Sequence, residues 1–467
     1  MVNHETPRQR TADSPAGSIP ADIGDAAVWR RAGWRIIPIC AVAYLLSYID
    51  RVNLGYISPS LSRDLGMSST QIGLAAGLFF LGYILFEVPS NLALRRFGAR
   101  KWIARILLSW GVVTALTSAV DSAWLLYVAR IALGVAEAGL AAGLVLYLST
   151  WFPHRQRAWV LSLFFLSLPV SAIVGAPFAA LLLTWGHSLL GVAGWRALFL
   201  TEGALTVLVG IAVLAFLPDS PARARWLTPA QARYLISALD AEAAQTAGGQ
   251  LTTTGQALRS RSVWVMGAAF FALLFGLYPV SFFLPSIITK AVTGVAPATA
   301  QIEGVLLSIV PNVVGVIAMA LWPKTAGRLN ARACTLIPWA AGAAGLAVAA
   351  CSGSLVLSLA AISVSVAGVY AAIPQFWRIP ALGLSGAASA AGIALINSVG
   401  NASGFAGPYL TGAIESATGS YAAALWTIAA VMVAGGITLG VAARRTPAGL
   451  AVPATRDVSA TTNREQA

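Results

Sequence analysis

"LLSYIDRVNLGY", residues 45–56, sets Asp50 and Arg51 side by side in a run that otherwise reads as a hydrocarbon-soluble helix. Each such residue near a bilayer centre costs roughly 2.5–3.5 kcal/mol on insertion scales, so the pair has to repay its place by what it does. The rest of the chain supports a membrane setting. Of 467 residues, 58% are hydrophobic and only 10% charged, with a mean hydropathy of +0.76. A soluble globular protein carries about a quarter charged residues, so this composition indicates a multi-spanning membrane protein. The net charge of +13 does not indicate nucleic acid. Its basic residues cluster at the ends of apolar segments rather than interleaving with aromatics along one face.

Outward from Asp50, apolar runs long enough to cross a hydrocarbon core of about 30 Å recur twelve times. They are expected near 35–58, 71–94, 102–120, 124–150, 159–184 and 195–217, then near 263–288, 301–323, 333–351, 355–380, 386–413 and 421–443. The amino-terminal stretch has no signal-peptide apolar region, so the first run is expected to stay as the first span. With both termini on one side, that side holds 25 of the 30 Lys and Arg and the other only Arg63, Arg196 and Lys290. By the positive-inside rule the termini are cytoplasmic. The expected organisation is a cytoplasmic tail (1–34), a six-helix bundle (35–217), a cytoplasmic central loop (218–262), a second six-helix bundle (263–443) and a cytoplasmic tail (444–467). The central loop has one amphipathic stretch, near 229–243, expected as a surface helix. "RFGAR" (96–100) and "RLNAR" (328–332) occupy matching loops of the two halves. Their third residues, Gly98 and Asn330, tolerate a left-handed turn, and the echo fits a duplicated transporter architecture.

The fourth span, "YVARIALGVAEAGLAAGLVLYL" (127–148), holds Arg130 and Glu137. Seven residues apart, they share a helix face about 10 Å apart, whereas adjacent Asp50 and Arg51 diverge by about 100°. Gly139 and Gly143 form a GxxxG pair that lets a neighbouring helix approach. These four charges could pair simply to fasten helices. Buried pairs are poor stabilisers, however, and charge is otherwise scarce, so a polar cavity fits them better. Tyr48, Tyr83, Tyr278 in the Pro-broken "LYPVSFFLP", and Asn397 with Asn401 in "INSVGNASGFAGPY" are further candidates to line it. Glu87 is expected to order the adjacent basic loop, and Glu202 and Glu303 to reach water or headgroups. Arg378 is expected to snorkel. The three histidines fall in expected tails or loops. Cys40, Cys334 and Cys351 show no metal or redox spacing, so neither a metal nor a cofactor is expected.

The segments "YIDRVNLG", "GYILFEVPSNLAL", "GARKWIARILLSWG", "RIALGVAEAG", "YLSTWFP" and "AGIALINSVGNASGFAGPYLTG" resemble the major facilitator superfamily and, within it, its anion:cation symporter group. That group includes bacterial permeases for galactonate, glucarate, tartrate, phthalate and 4-hydroxyphenylacetate. The resemblance implies an all-α membrane protein, its twelve transmembrane helices forming two bundles around a central cavity. It implies that Asp50 and Glu137 couple protons, that Arg51 and Arg130 meet a substrate anion, and that Tyr83 lies near it. Glu87, Arg96, Gly98, Arg100, Arg328 and Arg332 fall in the inner-gate loops. There are departures. Leu140-Ala141-Ala142 replaces an aromatic pair and proline, so a straighter fourth span and wider cavity are expected. Arg95 replaces the acidic residue of the loop after the second span, and Gly327 stands near the corresponding place in the second half, so the usual inner-gate latch does not carry over. Arg378 stands where an apolar residue is the rule.

The expected function is proton symport of a small organic carboxylate, such as a sugar acid, tartrate or an aromatic acid, into a bacterial cell across the inner membrane. Two arginines attract the anion and two ionised carboxylates repel it, so protonation and anion loading favour one another. Each unit of coupling on the pH scale is worth about 1.4 kcal/mol. H+ is the expected coupling ion, and the partners are the anion and the bilayer; a monomer is expected. A drug/H+ antiporter on the same fold is the alternative, since "VGAP" (174–177) loosely resembles an antiporter motif. An anion-binding membrane sensor is a remoter one. An enzyme is not expected, since no membrane histidine, Ser–His pair or metal-ligand cluster is present.

Overall fold

The structure is a computed structural model that describes residues 25–153, 160, 164, 166–246, 259–292, 294–326, 329–377, 379 and 386–444. His4, His154, Gly327, Arg328 and Arg378 lie outside the described residues. The side chain of Arg95 does as well. The described elements are helical: α1 (Asp25–Asp64), α2 (Ser69–Phe97), α3 (Ala99–Thr117), α4 (Ala123–Glu137), α5 (Leu140–Ser149), α6 (Ser167–Leu190) and α7 (Gly194–Phe216). After a 3₁₀ turn (Pro221–Arg223) come α8 (Pro229–Thr246), α9 (Arg261–Phe275), α10 (Tyr278–Ala291), α11 (Pro297–Leu307) and α12 (Ile309–Thr325). The chain closes with α13 (Ala331–Cys351), α14 (Leu355–Phe376), α15 (Gly386–Asn401), α16 (Ser403–Thr418) and α17 (Ala422–Arg444).

Ten helical segments among the described residues are long and apolar enough to cross a membrane by length and composition. Two further expected spans are helical at their expected places. One is α3, whose first turns carry Arg100, Lys101 and Arg105. The other is α15 with α16, interrupted at Ala402. Large apolar side chains such as Trp124 and Phe216, each 71% exposed, point away from the protein, as lipid-facing residues do. Lipid tails are as apolar as leucine, so hydrophobicity does not drive helix against helix, and close backbone approach has to do that work. Gly134 on α4 and Gly82 on α2 provide it. A Cβ at Gly134 would stand 2.1 Å from the Phe79 carbonyl oxygen, and one at Gly82 would stand 2.5 Å from that of Ile131.

The two halves repeat one packing pattern. The first span packs on the fifth and the seventh on the eleventh. The second packs on the fourth and the eighth on the tenth, the third on the sixth and the ninth on the twelfth. Between halves, α2 lies along α16, α6 along α11 and α12, and α1 along α10. At the end away from the chain termini this seam is tight. Gln301 Nε2 donates to the Tyr56 carbonyl (3.0 Å) and to Ser60 Oγ (3.1 Å), and the Thr70 N–H donates to Ser416 Oγ (3.0 Å). At the terminal end α8 begins in a capping box, with the Gln231 N–H on Thr228 Oγ1 and the Thr228 N–H on Gln231 Oε1. Its Leu235 and Tyr234 dock on the first half, Tyr234 edge-on to Trp29.

Three expectations need correction. The fourth span is not straighter: α4 stops at Glu137 and α5 restarts at Leu140, with Gly139 between them at φ 84°, a left-handed conformation that glycine adopts without penalty. A Cβ at Gly139 would meet Ser90 Oγ at 2.5 Å, so the break also lets α2 close in. In the RFGAR/RLNAR echo only Gly98 takes a positive φ. Asn330 is extended and instead caps α13, accepting from the Ala333 N–H. His187 belongs to the last turn of α6 rather than to a loop.

The α2–α4 contact supports everything inside the first half. Gly134→Ala presses a methyl group into backbone that cannot yield, costing about 1–3 kcal/mol. The thermal midpoint of the purified protein should fall by several degrees. Gly353→Ala, with nothing within 4 Å of the new carbon, should leave it in place.

Candidate functional site

The first, second and fourth spans bring Asp50, Arg51, Tyr83, Arg130 and Glu137 into one interior cluster in which Asp50, Arg130 and Glu137 are fully buried. Adjacent helix positions diverge, and here they serve different neighbours. Arg51 turns to α4 and donates from Nε (3.0 Å) and Nη2 (2.6 Å) to a single oxygen of Glu137, Oε1. Oε2 of Glu137 has no hydrogen-bond partner. Asp50 turns to α3, where its Oδ2 accepts from the Trp110 indole N–H and from the Thr114 hydroxyl (3.1 Å), and Oδ1 has no partner. Asp50 is thus held by neutral donors rather than by an arginine.

Aromatic rings surround the Arg51 guanidinium, with centroids 5.0 Å (Tyr48), 4.9 Å (Tyr83) and 5.3 Å (Phe79) away. The Arg130 guanidinium lies 5.2 Å from the same Phe79 ring, so one ring serves both cations. Each such contact is worth about 0.5–2 kcal/mol. Arg130 Nε reaches the Ala75 carbonyl at 3.4 Å, and its Nη1 has no partner.

A small cavity of about 50 Å³ lies between the halves. Tyr48, Arg51 and Tyr56 of α1 form one wall, and Tyr278 of α10, Asn312 of α12 and Tyr370 of α14 form another. Arg51, 10% exposed, is the one charged group on the cavity wall among the described residues; Arg130 stands behind it. The Tyr278 hydroxyl donates to Asn401 Oδ1 (2.9 Å), and the Tyr370 hydroxyl donates to Asn312 Oδ1 (3.2 Å). The structure therefore brings Tyr48, Arg51 and Tyr278 to the cavity, with Glu137, Tyr83 and Asn401 directly behind them. Asn397 is half-buried on α15 and does not line it.

The loop residues hold other positions. Arg100 Nε donates to the Leu214 carbonyl (2.9 Å), tying the start of α3 to the end of α7. The Arg96 guanidinium lies over the Phe97 ring, and Arg332 is half-buried at the start of α13. Among the described residues no ion pair joins Glu87 to this basic loop; its carbonyl accepts from Asn91 instead. Glu202 does not reach water. It is fully buried on α7 and accepts from the Asn53 amide.

Sequence inspection missed Trp110, Thr114 and Phe79, which read as ordinary apolar-helix residues, and Asn312 with Tyr370. A scan for polar residues in the second half could have found that last pair. Asn53, three residues after Asp50 and so on nearly the same helix face, was the available sign that Glu202 has an interior partner.

With the geometry in place, comparison with known proteins places the chain. The model of the Major Facilitator Superfamily matches residues 40–408. A protein of Agrobacterium vitis called a putative tartrate transporter is 39% identical over 430 residues, covering 91% of this chain and 93% of that protein. A quinolone resistance transporter of Acinetobacter baumannii is 35% identical, covering 87% and 93%. The inward-open xylose transporter XylE of E. coli superposes with a TM-score of 0.69 at 15% identity, covering 87% of this chain and 96% of that one, a likeness of fold.

The neutral donors on Asp50 give a direct check. Trp110→Phe removes one of the two hydrogen bonds on Oδ2 and leaves Thr114 alone to hold this buried carboxylate, at about 1–3 kcal/mol. The thermal midpoint should drop clearly, and Thr114→Val should have a smaller effect of the same sign.

Proposed function

The chain belongs to the Major Facilitator Superfamily, and from that premise we propose that it is a proton-coupled symporter that imports a small organic carboxylate by alternating access. It is a multi-pass membrane transporter, not an enzyme. The observation that carries the proposal is the Arg51–Glu137 pair at the cavity wall. Arg51 is the cation a solute in the cavity would meet, and a guanidinium fork matches a carboxylate with two parallel hydrogen bonds. Glu137 already holds two donors of that fork.

An arriving carboxylate therefore competes with Glu137 for Arg51. While Glu137 is ionised, releasing it would strand a buried charge, which is strongly unfavourable. Protonating Glu137 removes that penalty and frees the guanidinium. Anion loading and proton loading thus help one another through one shared group, and the coupling is reciprocal. Asp50, beside Arg51 in the chain and held by Trp110 and Thr114, is the second carboxylate proposed to exchange a proton. H+ serves as the coupling ion and no other cofactor is invoked. The relative called a putative tartrate transporter supports a carboxylate substrate, and the aromatic walls also admit an aromatic acid. The asymmetry of Lys and Arg supports cytoplasmic termini on a protein of the bacterial inner membrane. The tight seam at the far end then corresponds to a closed outer face. The protein is taken to act as a monomer.

Drug efflux in exchange for protons is the second reading, favoured by the relative named for quinolone resistance. A cationic drug would meet Arg51 at the wall, which disfavours basic compounds. A thermal-shift screen of acidic against basic ligands separates the two, and stabilisation by basic compounds alone would decide for efflux.

In proteoliposomes, an inward proton gradient should drive accumulation of the carboxylate that stabilises the protein best. Arg51→Lys loses the fork geometry and should reduce uptake by at least about tenfold. Glu137→Gln should keep exchange of labelled for unlabelled substrate while losing gradient-driven accumulation. Wild-type uptake indifferent to the gradient would overturn the proposal.

A further inference from the structure

The first half buries three carboxylates against two guanidiniums. Asp50, Glu137 and Glu202 are each fully inaccessible, with Arg51 and Arg130 as the cations among them. With every group ionised, this dry cluster carries one uncompensated negative charge, which costs several kcal/mol away from water. A single proton restores neutrality.

The three acids differ in their hydrogen-bond partners. Glu137 holds Arg51, and Asp50 holds two donors, Trp110 and Thr114. Glu202 has the Asn53 amide and no arginine contact. Its second oxygen, Oε1, has no partner. Two side-chain groups near it also lack partners among the described residues: the amide oxygen Asn53 Oδ1 on the facing helix, which only accepts, and the Thr206 hydroxyl one turn along α7, both on fully buried residues. An ionised Glu202 only accepts: it can take a hydrogen bond from the Thr206 hydroxyl but cannot satisfy Asn53 Oδ1. A protonated Glu202 supplies the donor that Asn53 Oδ1 lacks. Asp50, Arg130 and Glu137 are the charged groups whose fields reach it. Among the described residues no arginine, lysine or histidine is in hydrogen-bond or ion-pair contact with it, and α3 meets α7 there through Gly111 and Ala115 against Gly203.

We propose that Glu202 is a resident neutral acid: it keeps one proton throughout the transport cycle and so balances the charge of the cluster, while Asp50 and Glu137 exchange theirs. Glu202 does not line the cavity and touches no substrate, so its role is to position and to balance. A charge-neutral partner set lets one proton on Glu137 register fully at Arg51 instead of being absorbed by a spare carboxylate. The inference rests on the proton-coupled reading for its purpose but not for its measurement.

Infrared spectroscopy of the full-length wild-type protein in lipid at neutral pH should show the carbonyl stretch of a buried, protonated carboxylic acid. The band should persist when the bulk pH is raised to 9, vanish in Glu202→Gln and remain in Glu137→Gln. Asn53→Ala should shift its frequency by altering the acid's hydrogen bond, which keeps the assignment testable if Glu202→Gln folds poorly. In uptake assays Glu202→Gln, which mimics the protonated acid, should stay within about threefold of wild type and keep the wild-type pH profile. Absence of the band at neutral pH in the wild type would overturn the proposal. So would a Glu202→Gln protein that exchanges substrate but no longer responds to a proton gradient, since Glu202 would then be a shuttling group. If the band behaves as stated but wild-type uptake ignores the gradient, the proton-coupled reading fails and the neutral acid stands.

Discussion

Arg51 has one guanidinium and, in the proposed mechanism, two claimants. In the structure Glu137 holds it through Nε and Nη2 on one oxygen, at the edge of a cavity where it is the charged wall residue among those described. The surrounding architecture serves that competition. Tyr48, Phe79 and Tyr83 fix the plane of the guanidinium. The close α2–α4 approach at Gly82 and Gly134 brings Phe79 and Tyr83 within reach of the helix that carries Glu137. The break at Gly139 ends that helix immediately after Glu137, whose second carboxylate oxygen has no partner among the described residues.

The expense of Asp50 and Arg51 in the first span follows from the same device. Neither residue stabilises the fold by pairing with the other. Each turns outward from the shared helix into a different environment: neutral donors for Asp50, a carboxylate and aromatic rings for Arg51. An ion pair in low dielectric is strong only while intact, so whichever species completes the Arg51 pair decides the state of the site. Arg130, also close to the Phe79 ring and short of hydrogen bonds, adds positive potential without occupying the wall.

Much of this was legible in the sequence because membrane helices are written in a coarse alphabet. Charge is so costly in lipid that Asp50, Arg51, Arg130 and Glu137 stood out unaided, and the seven-residue spacing placed the last two on one face. The helical runs and the paired halves were legible for the same reason. What escaped was whatever depends on distance across the bundle. Nothing local distinguishes a tryptophan that donates to Asp50 from one that faces lipid, as Trp124 does. The break at Gly139 was read as a possible close contact, not as an interruption, because leucine and alanine after it are good helix formers. Glu202 looked peripheral because it lies two turns from the end of its helix. Only the folded arrangement reveals Asn53 opposite it.

The most direct test is the number of protons taken up when the anion binds. Calorimetric titration of the purified protein with its tightest carboxylate, repeated in buffers of different ionisation enthalpy, measures that number without transport. The account predicts net proton uptake in the wild type at neutral pH and its loss, with binding retained, in Glu137→Gln. Binding that takes up no proton in the wild type, or that takes up the same number in Glu137→Gln, would contradict it.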